Sequence, residues 1–181
     1  GVVTQNPVNR SWALSYRLLE LGSAARSRLS LVDAARNSLD MLNRVTVDQI
    51  LLGVLTADFA TIQVDVRRAV DIQPLGEIGS RFALHAGGGS KLLFAYSSPE
   101  YIEEYLRIAS PLKRFTPYTC VQNTLVREEC ARIRSQGYAL SFRDLSQDRC
   151  SIAVPVLDRD GAVIAGISMS SPVSRFGEED R

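Results

Sequence analysis

The last third of the chain contains three segments typical of β-strands, and no helical pattern separates them. They run from Tyr138 to Phe142, from Ser151 to Leu157 and from Ala162 to Met169. Between the second and the third lies Asp158 to Gly161, whose glycine tolerates the positive φ of a tight hairpin turn. Strands joined by such short turns pair antiparallel, so this part of the chain is expected to form a meander.

The first half of the chain combines two predicted helices with a predicted hairpin. Leucines at helical spacing predict a helix from Asn9 to Gly22, where the glycine would act as the C-terminal cap. A second apolar stripe predicts a helix from Ser30 to Val45, and strands are predicted from Gln49 to Thr56 and from Thr61 to Arg67. The order of elements indicates an α+β fold, an α/β sandwich with a mainly antiparallel sheet and helices on both faces.

The middle of the chain carries several signals for loops and helix ends. Ile72 to Ile78 contains a proline and a glycine and is predicted to be a loop. Ser98 is suited to cap a helix that begins at Pro99. Thr119 and Gln122 have the spacing of a capping box, which predicts a helix from there to Ser135, ended by Gly137.

A glycine-rich segment, Gly87-Gly88-Gly89-Ser90-Lys91, runs directly into an apolar stretch and is predicted to enter a helix N-terminus. Such a turn exposes backbone N–H groups at the positive end of the helix dipole, where a small anion could bind. The spacing is not that of a Walker A loop. The glycines could equally serve only to allow a tight turn.

Four serines are candidates for the lining of a binding site. Ser168 and Ser170 lie two apart in an otherwise apolar strand, so their hydroxyls share one face. Ser151 and Ser141 belong to the two preceding strands and could approach the same region. Buried hydroxyls need partners, which can be a ligand or neighbouring backbone. Hydroxyls without a base suit recognition better than catalysis.

Composition excludes several classes of protein. The 181 residues carry a formal net charge of +1, whereas nucleic-acid-binding domains usually present a strongly basic face. The apolar runs are far shorter than a membrane span. The single histidine, His85, is more typical of a structural hydrogen-bonding role than of a catalytic one. No cofactor or metal is expected.

The three cysteines support a rival interpretation. Cys120, Cys130 and Cys150 are widely spaced, which signals neither a disulfide framework nor a zinc site and fits a reducing, cytoplasmic setting. A redox enzyme would need an exposed thiolate and a resolving partner, and this interpretation expects Cys150 to meet Cys120 across the fold. Cys130 lies on the apolar stripe of a helix and is expected to be core.

Several segments, in this order and at this spacing, resemble the effector-binding domain of the IclR family of bacterial transcription regulators. They are Tyr16 to Gly22, Leu84 to Lys91, Ile133 to Ala139, Ile152 to Val156 and Ile167 to Pro172. The resemblance spans nearly the whole chain.

The resemblance implies a GAF-like sheet whose cavity holds a small carboxylate or aromatic metabolite. It also implies that residues 1–26 are the end of a DNA-binding wing and a linker helix, with the effector-binding domain at 27–181. The chain begins with Gly1, so we expect an N-terminal winged helix-turn-helix to precede it in a longer protein. Homodimers, or dimers of dimers, are the assemblies that the resemblance implies.

By position, the resemblance assigns effector-binding roles to two glycines and four serines. Gly88 and Gly89 match the loop residues whose N–H groups meet the effector carboxylate, and Ser168 and Ser170 match the pair that lines the pocket. The remaining positions are Ser151, where many members have Cys, and Ser141, where an acidic residue is common. A neutral residue at the latter position should change which effector is admitted.

We therefore expect a non-enzymatic ligand-sensing and oligomerisation domain that acts on DNA only through the preceding domain. Two alternatives stay open. One is a GAF-fold, cysteine-dependent redox enzyme of the methionine sulfoxide reductase type. The other is a dimerisation module whose pocket is filled by its own side chains.

Overall fold

The computed structural model describes residues 1–27, 30–69 and 74–175. The chain divides into two compact units, Gly1–Asn37 and Ser38–Arg181, which are described separately below.

The first unit begins with a hairpin, not with the long helix that the leucine spacing predicted. Strand β1 (Val3–Gln5) pairs antiparallel with β2 (Trp12–Leu14), and helix α1 follows at Arg17–Ser27. The predicted helix from Asn9 to Gly22 is therefore wrong at both ends. Gly22 lies inside α1 and does not cap it, because the leucine period alone does not mark where a helix stops.

The predicted second helix and the hairpin after it are confirmed. Helix α2 spans Ser30–Thr46, β3 spans Gln49–Thr56 and β4 spans Ala60–Arg67. Of the loop predicted at 72–78, residues 74–78 have no helix or strand, whereas 72 and 73 lie outside the described residues. A short strand, β5 (Arg81–Phe82), pairs with β4.

Three helices follow in the second unit: α3 (Gly88–Ala95), α4 (Pro99–Ile108) and α5 (Asn123–Gln136). Ser98 caps α4 as predicted, since its Oγ accepts the Tyr101 N–H at 3.2 Å. The capping box at Thr119 is wrong. The Thr119 Oγ1 instead accepts the N–H groups of Phe115 and Thr116, which precede it, so it closes a turn rather than starting α5.

The C-terminal meander is confirmed. Strands β6 (Ala139–Phe142), β7 (Arg149–Leu157) and β8 (Val163–Pro172) are neighbours in a six-stranded sheet of order β5-β4-β3-β8-β7-β6. Every pair in this sheet is antiparallel. The crossover from β4 and β5 to β6 passes through the three helices.

Helices lie on both faces of the sheet. Helix α3 packs against β3, β4, β6, β7 and β8. On the opposite face of β4, Arg67 pairs with Asp40 in the C-terminal half of α2. The largest fully buried side chains of the core beneath α3 are Phe94, Leu84, Leu92, Leu106 and Ile133.

A bulge in the hairpin of β3 and β4 decides which polar side chains face α3. Leu52 pairs with Asp65, but Gly53 pairs with Gln63, so Val64 is an extra residue on β4. Such an insertion reverses the alternation of faces. Gln63 therefore shares the α3 face with Leu51, whereas Arg67 reaches α2 on the other side.

Candidate functional site

The glycine loop turns sharply into α3, as its sequence predicted. Gly87 is the N-cap residue and has a backbone φ of +83°, which residues other than glycine rarely adopt. Its N–H donates to Asp144 Oδ1 at 2.9 Å, and a Cβ added at this position would lie 2.9 Å from Leu145 Cδ2. The loop is thus fixed to the segment that follows β6.

Gly88 and Gly89 bring the start of α3 into direct contact with the sheet. A Cβ on Gly88 would lie 2.8 Å from Ser151 Oγ, and one on Gly89 would lie 3.1 Å from Ser168 Oγ. The Gly88 N–H donates to Ser151 Oγ at 3.0 Å. An anion at this helix end must therefore share the Gly88 N–H with Ser151 or displace the Ser151 hydroxyl.

Three of the four candidate serines form a row across neighbouring strands. Ser141 on β6 pairs with Ser151 on β7, which in turn pairs with Ser170 on β8. Ser168 lies two residues from Ser170 on the same face, next to Gly89. The approach of these strands, which the sequence only suggested, is therefore present.

Ser141 differs from the other candidates because it does not line the cavity at the glycines. Its hydroxyl donates to Asp144 Oδ1, the oxygen that also accepts the Gly87 N–H. Ser141 is therefore placed to position the glycine loop through Asp144. Sequence analysis assigned no role to Asp144.

A small cavity lies between α3 and the sheet and brings together five of the six predicted site residues, namely Gly88, Gly89, Ser151, Ser168 and Ser170. Its volume is about 30 Å³, which is space for no more than ordered water. Ligand pockets usually measure about 300 Å³ or more. In this conformation the cavity is closed to a metabolite.

Leu75, Phe82 and Leu145 complete the apolar part of the cavity wall. Leu75 is held in place by the side-chain amide of Gln49, whose Oε1 accepts the Leu75 N–H at 2.9 Å and whose Nε2 donates to the Gly76 carbonyl at 3.0 Å. Gln49 is 1% exposed. Two hydrogen bonds therefore hold this wall against the sheet.

Two buried polar atoms of the cavity lining have no hydrogen-bond partner among the described residues. They are Gln63 Oε1 and Ser170 Oγ, in side chains that are 6% and 0% exposed. A buried polar atom without a partner costs roughly 1–3 kcal/mol and is rare in folded proteins. Both atoms belong to the site that the glycines define.

Gln63 is a second residue, besides Asp144, whose place at the site no sequence pattern indicated. The alternation in β4 grouped it with Asp65 and Arg67, but the bulge separates it from them. The signal that could have found it is its partner Gly53, whose missing side chain leaves room for the amide: a Cβ there would lie 3.2 Å from Gln63 Oε1.

The cavity lining contains no charged side chain among its described residues. The nearest charges are paired behind the glycine loop, where Lys91 Nζ lies 2.7 Å from Asp144 Oδ2 and 3.3 Å from Glu129 Oε1. An anion in the cavity would therefore meet mainly the N–H groups of the first turn of α3.

A much larger groove, of about 550 Å³, lies on the other side of α3, between α5 and β6. Apolar side chains such as Tyr118, Leu125 and Phe142 line it, with Lys91, Asp144 and Glu129 at its charged end. Those three charges pair with one another. None of the predicted site residues lines this groove.

His85 has a structural role, as its isolation in the sequence suggested. Its Nδ1 lies 2.5 Å from Tyr105 Oη and its Nε2 lies 2.8 Å from the Lys113 carbonyl oxygen. Burial lowers the pKa of His85 below its usual value, although the Lys113 carbonyl and Asp144 act in the opposite direction. Both ring nitrogens are occupied, which leaves neither for proton transfer.

The cysteines do not provide a reactive thiolate at the site. Burial raises the pKa of Cys130 to about 11 and also raises the pKa of Cys150. Cys120, Cys130 and Cys150 are all free thiols, and none of them lines the small cavity. A thiol nucleophile requires a lowered pKa, so the environments of Cys130 and Cys150 oppose redox chemistry.

Within residues 1–27, 30–69 and 74–175, no group of His, Cys, Asp and Glu side chains is arranged to hold a metal ion. Over the same residues, no helix has the length and hydropathy needed to cross a membrane.

Comparison with known proteins defines the class. The family described as "Bacterial transcriptional regulator IclR C-terminal" matches residues 23–181. The chain belongs to this family, and the resemblance seen in its sequence is confirmed.

Among curated proteins, the chain is 32% identical over 178 residues to the HTH-type transcriptional regulator BhcR of Paracoccus denitrificans, covering 98% of this chain and 63% of that protein. It is 30% identical over 181 residues to the HTH-type transcriptional regulator KdgR of Dickeya chrysanthemi, and the match covers 100% of this chain and 59% of that protein. The chain therefore spans about 60% of the length of these two relatives. Both relatives are regulators, and the expectation of a non-enzymatic domain is confirmed at the level of the family.

A solved structure also resembles this fold. It is a double mutant of the PobR inducer-binding domain from Acinetobacter in complex with 3-hydroxybenzoic acid. The two chains are 26% identical, with a TM-score of 0.73, and the match covers 81% of this chain and 86% of the other.

Proposed function

We propose that residues 27–181 bind a small carboxylate effector in the cavity between α3 and the sheet, and that this domain senses the effector for a DNA-binding regulator. The observation that carries the proposal is the pair of buried, unpartnered atoms, Gln63 Oε1 and Ser170 Oγ, beside the N-terminus of α3. Carboxylates are favoured at helix N-termini, and the orphaned atoms supply further hydrogen-bonding capacity.

We propose a role for each site residue. The N–H groups of Gly88 and Gly89 bind the carboxylate, while the hydroxyls of Ser151, Ser168 and Ser170 surround it. Ser141 acts through Asp144 on the conformation of the glycine loop. The complex of the PobR domain with 3-hydroxybenzoic acid supports an aromatic acid as one class of effector.

Effector binding requires the cavity to expand from its volume of about 30 Å³. The wall most suited to move is the one that carries Leu75, since it is attached to the sheet through the Gln49 side chain. An effector that stabilises the expanded state shifts the population between two conformations, and this shift is the signal that the domain transmits.

A dimerisation module with a filled pocket is a second candidate, and the small volume of the cavity favours it. The unpartnered Gln63 and Ser170 atoms oppose it, because a pocket built only for packing would gain stability from apolar side chains at both positions.

Thermal denaturation of the 181-residue chain with a panel of small carboxylates tests the proposal. A binding effector raises the free energy of unfolding by RT ln(1 + [L]/Kd), about 2.7 kcal/mol at 100 times Kd. A panel of aliphatic and aromatic carboxylates, hydroxylated and not, that leaves the melting temperature unchanged would favour the dimerisation module.

The remaining parts of the regulator are proposed from the family. Residues 1–26 form the end of the wing and the linker helix, and a winged helix-turn-helix before them binds DNA in the cytoplasm. The exposed apolar side chains of Trp12, Leu14 and Leu19 fit a segment that contacts another protein surface. DNA binding by the longer protein, and its loss when residues 1–26 are replaced by a flexible linker, would test this assignment.

A second copy of the chain is the proposed partner for the outer face of β6 and β7. Leu140, Phe142, Ile152 and Val154 are all more than a third exposed there, and Leu140 pairs directly with Ile152. Light scattering should report a dimer or a dimer of dimers. We expect Ile152→Lys to lower the assembled mass, whereas Thr124→Lys on exposed α5 should not. An unchanged mass for Ile152→Lys would move the interface elsewhere.

A further inference from the structure

The Gln63 amide lies at a different place in the cavity from the helix N-terminus. It packs over Gly53 on β3, and Gly53 pairs with Gly166 on β8. Ser170 is four residues further along β8, where it pairs with Gln49. Four residues of a strand span about 13 Å, so the two unpartnered atoms belong to opposite ends of the site.

The two ends offer different chemistry. At the Ser170 end, Ser151 also pairs with Ser170 and accepts the Gly88 N–H, so hydroxyls and helix N–H groups converge there on a position suited to an anion. At the Gln63 end, the described lining residues carry no charge. The hydroxyls of Thr61, two residues from Gln63 on β4, and Ser90 on α3 bond each other at 2.7 Å. The Gln63 amide is therefore the polar group that remains for a ligand at this end.

A neutral amide of this kind selects a neutral polar group. A second carboxylate can only accept hydrogen bonds, so it would leave Gln63 Oε1 without a partner, and it would find no cation among the described lining residues to offset the loss of its hydration. A methyl group would leave Gln63 Oε1 without a partner, as it is now. A hydroxyl both donates and accepts, so it satisfies the amide in either orientation.

We infer that Gln63 is a specificity-determining residue that selects effectors carrying a hydroxyl at the end remote from the carboxylate. The inference rests on the proposed function, since it takes the carboxylate to bind at Gly88, Ser151 and Ser170. The ligand class is therefore a monocarboxylate with one distal hydroxyl, aromatic or aliphatic, rather than a dicarboxylate or an unsubstituted acid.

Matched pairs of ligands test the inference by isothermal titration calorimetry on the 181-residue chain. The pairs are 4-hydroxybenzoate with benzoate, 3-hydroxybenzoate with benzoate, and 4-hydroxybutyrate with butyrate. We expect the chain to bind the hydroxylated member of at least one pair about tenfold or more tightly. In Gln63→Met, which keeps the volume but removes the amide, that ratio should fall to about 1 while the unsubstituted acid still binds.

Ser170→Ala is the matched control, because it removes the other unpartnered atom at the carboxylate end. This variant should weaken the binding of both acids of a pair by a similar factor and leave the ratio of their affinities unchanged. A second readout is the ligand-free stability of Gln63→Met, which should equal or exceed that of the unchanged chain, since a buried unpaired atom has been removed. A residue with a purely structural role would lose stability instead.

The outcomes separate the inference from the proposed function. If no pair binds, the proposed function itself is contradicted. If acids bind but the ratio is about 1, or survives in Gln63→Met, then the carboxylate site stands and the role of Gln63 is wrong. Should Gln63→Met fail to fold, Gln63→Leu provides the same comparison, because it also removes the amide and leaves no hydrogen-bonding group for the ligand hydroxyl.

Discussion

The cavity beneath the N-terminus of α3 and the groove between α5 and β6 differ in size and in the state of their polar groups. The groove is larger, at about 550 Å³ against about 30 Å³, but four of its charged residues, Lys91, Glu129, Arg132 and Asp144, form ion pairs with one another. The cavity is small, and two of its buried polar atoms lack partners among the described residues. Volume indicates where a ligand fits without rearrangement, whereas unmet hydrogen bonds indicate where a ligand gains most by binding.

The physical reason is the cost of desolvation. A groove whose charges already pair offers a ligand little beyond apolar contact, because any new bond must replace an existing one. In the cavity, the cost of burying Gln63 and Ser170 has already been met during folding, so a ligand that bonds them recovers it. The following predictions test this contrast between the two regions.

The largest effect is expected from Gly88→Ala in the cavity. The new Cβ would lie 2.8 Å from Ser151 Oγ, and overpacking of this kind costs about 1–3 kcal/mol of folding stability. Because the Gly88 N–H belongs to the proposed carboxylate site, we also expect carboxylate affinity to fall by about tenfold or more. Calorimetry and urea denaturation measure the two effects. Adding Ser151→Ala removes the colliding oxygen and should restore part of the stability.

Gly22→Ala in α1 is the matched control, because a Cβ there meets nothing within 4 Å. It should stabilise the helix by about 0.5–1 kcal/mol and leave effector affinity unchanged. Full effector affinity in Gly88→Ala would show that the cavity is not the site.

The next effect concerns the wall that closes the cavity. Gln49→Leu removes both hydrogen bonds to Leu75 and Gly76 and leaves two backbone groups without these partners, at a cost of about 1–3 kcal/mol. Amide exchange at Leu75 should accelerate more than exchange in β7, and effectors should associate faster. Uniform acceleration throughout the sheet would mean that Gln49 supports the whole fold and not this wall.

A smaller effect is expected from pH, through His85 behind the glycine loop. Its pKa is lowered in the folded protein by burial, so below about pH 6.5 the unfolded state binds more protons than the folded state. Stability should therefore fall as the pH is lowered from 6.5 to 5, by less than about 1.4 kcal/mol per pH unit for one group.

His85→Gln, which removes the only histidine of the chain, should abolish this dependence between pH 6.5 and 5. Carboxylates titrate mainly below that interval, and the pKa values of Glu103 and Glu104 are lowered further by Arg127 and Arg107. The same slope in the variant would assign it to other groups.

The smallest effect is expected in the groove. Leu125→Ala should change stability by no more than about 0.5 kcal/mol, because Leu125 is 44% exposed, and it should leave effector affinity unchanged. If this variant weakened effector binding more than Gly88→Ala, the roles of the two regions would have to be exchanged.

Local sequence patterns were sufficient for most elements of the fold. The strands β3 and β8, the helix α2 and the cap at Ser98 agree with the spacing of apolar residues and the chemistry of capping. The errors lie at the ends of helices, including Gly22, which lies inside α1 and does not cap it. The helix predicted from Asn9 contains a strand at Trp12–Leu14, and Thr119 closes a turn through Phe115, because a short pattern fits several local structures until its neighbours are known.

The candidate site was predicted in part, since the glycines and serines that line the cavity stand out in the sequence. Asp144 and Gln63 did not stand out in the sequence, because their roles depend on partners that are distant along the chain. Asp144 accepts the Gly87 N–H from a residue 57 positions away, and Gln63 faces the cavity only because of the bulge opposite Gly53.

The sequence by itself determined helix α2, the hairpin of β3 and β4, the antiparallel meander and the glycine turn into α3, because these depend on the period of apolar residues and on backbone freedom at single positions. Only the tertiary structure decided that the cavity is too small for a metabolite, that the Ser141 hydroxyl donates to Asp144, and that Gln63 Oε1 and Ser170 Oγ have no hydrogen-bond partner among the described residues. Whether a buried polar atom is satisfied depends on which strands and loops surround it, and that is a property of packing and register rather than of local sequence.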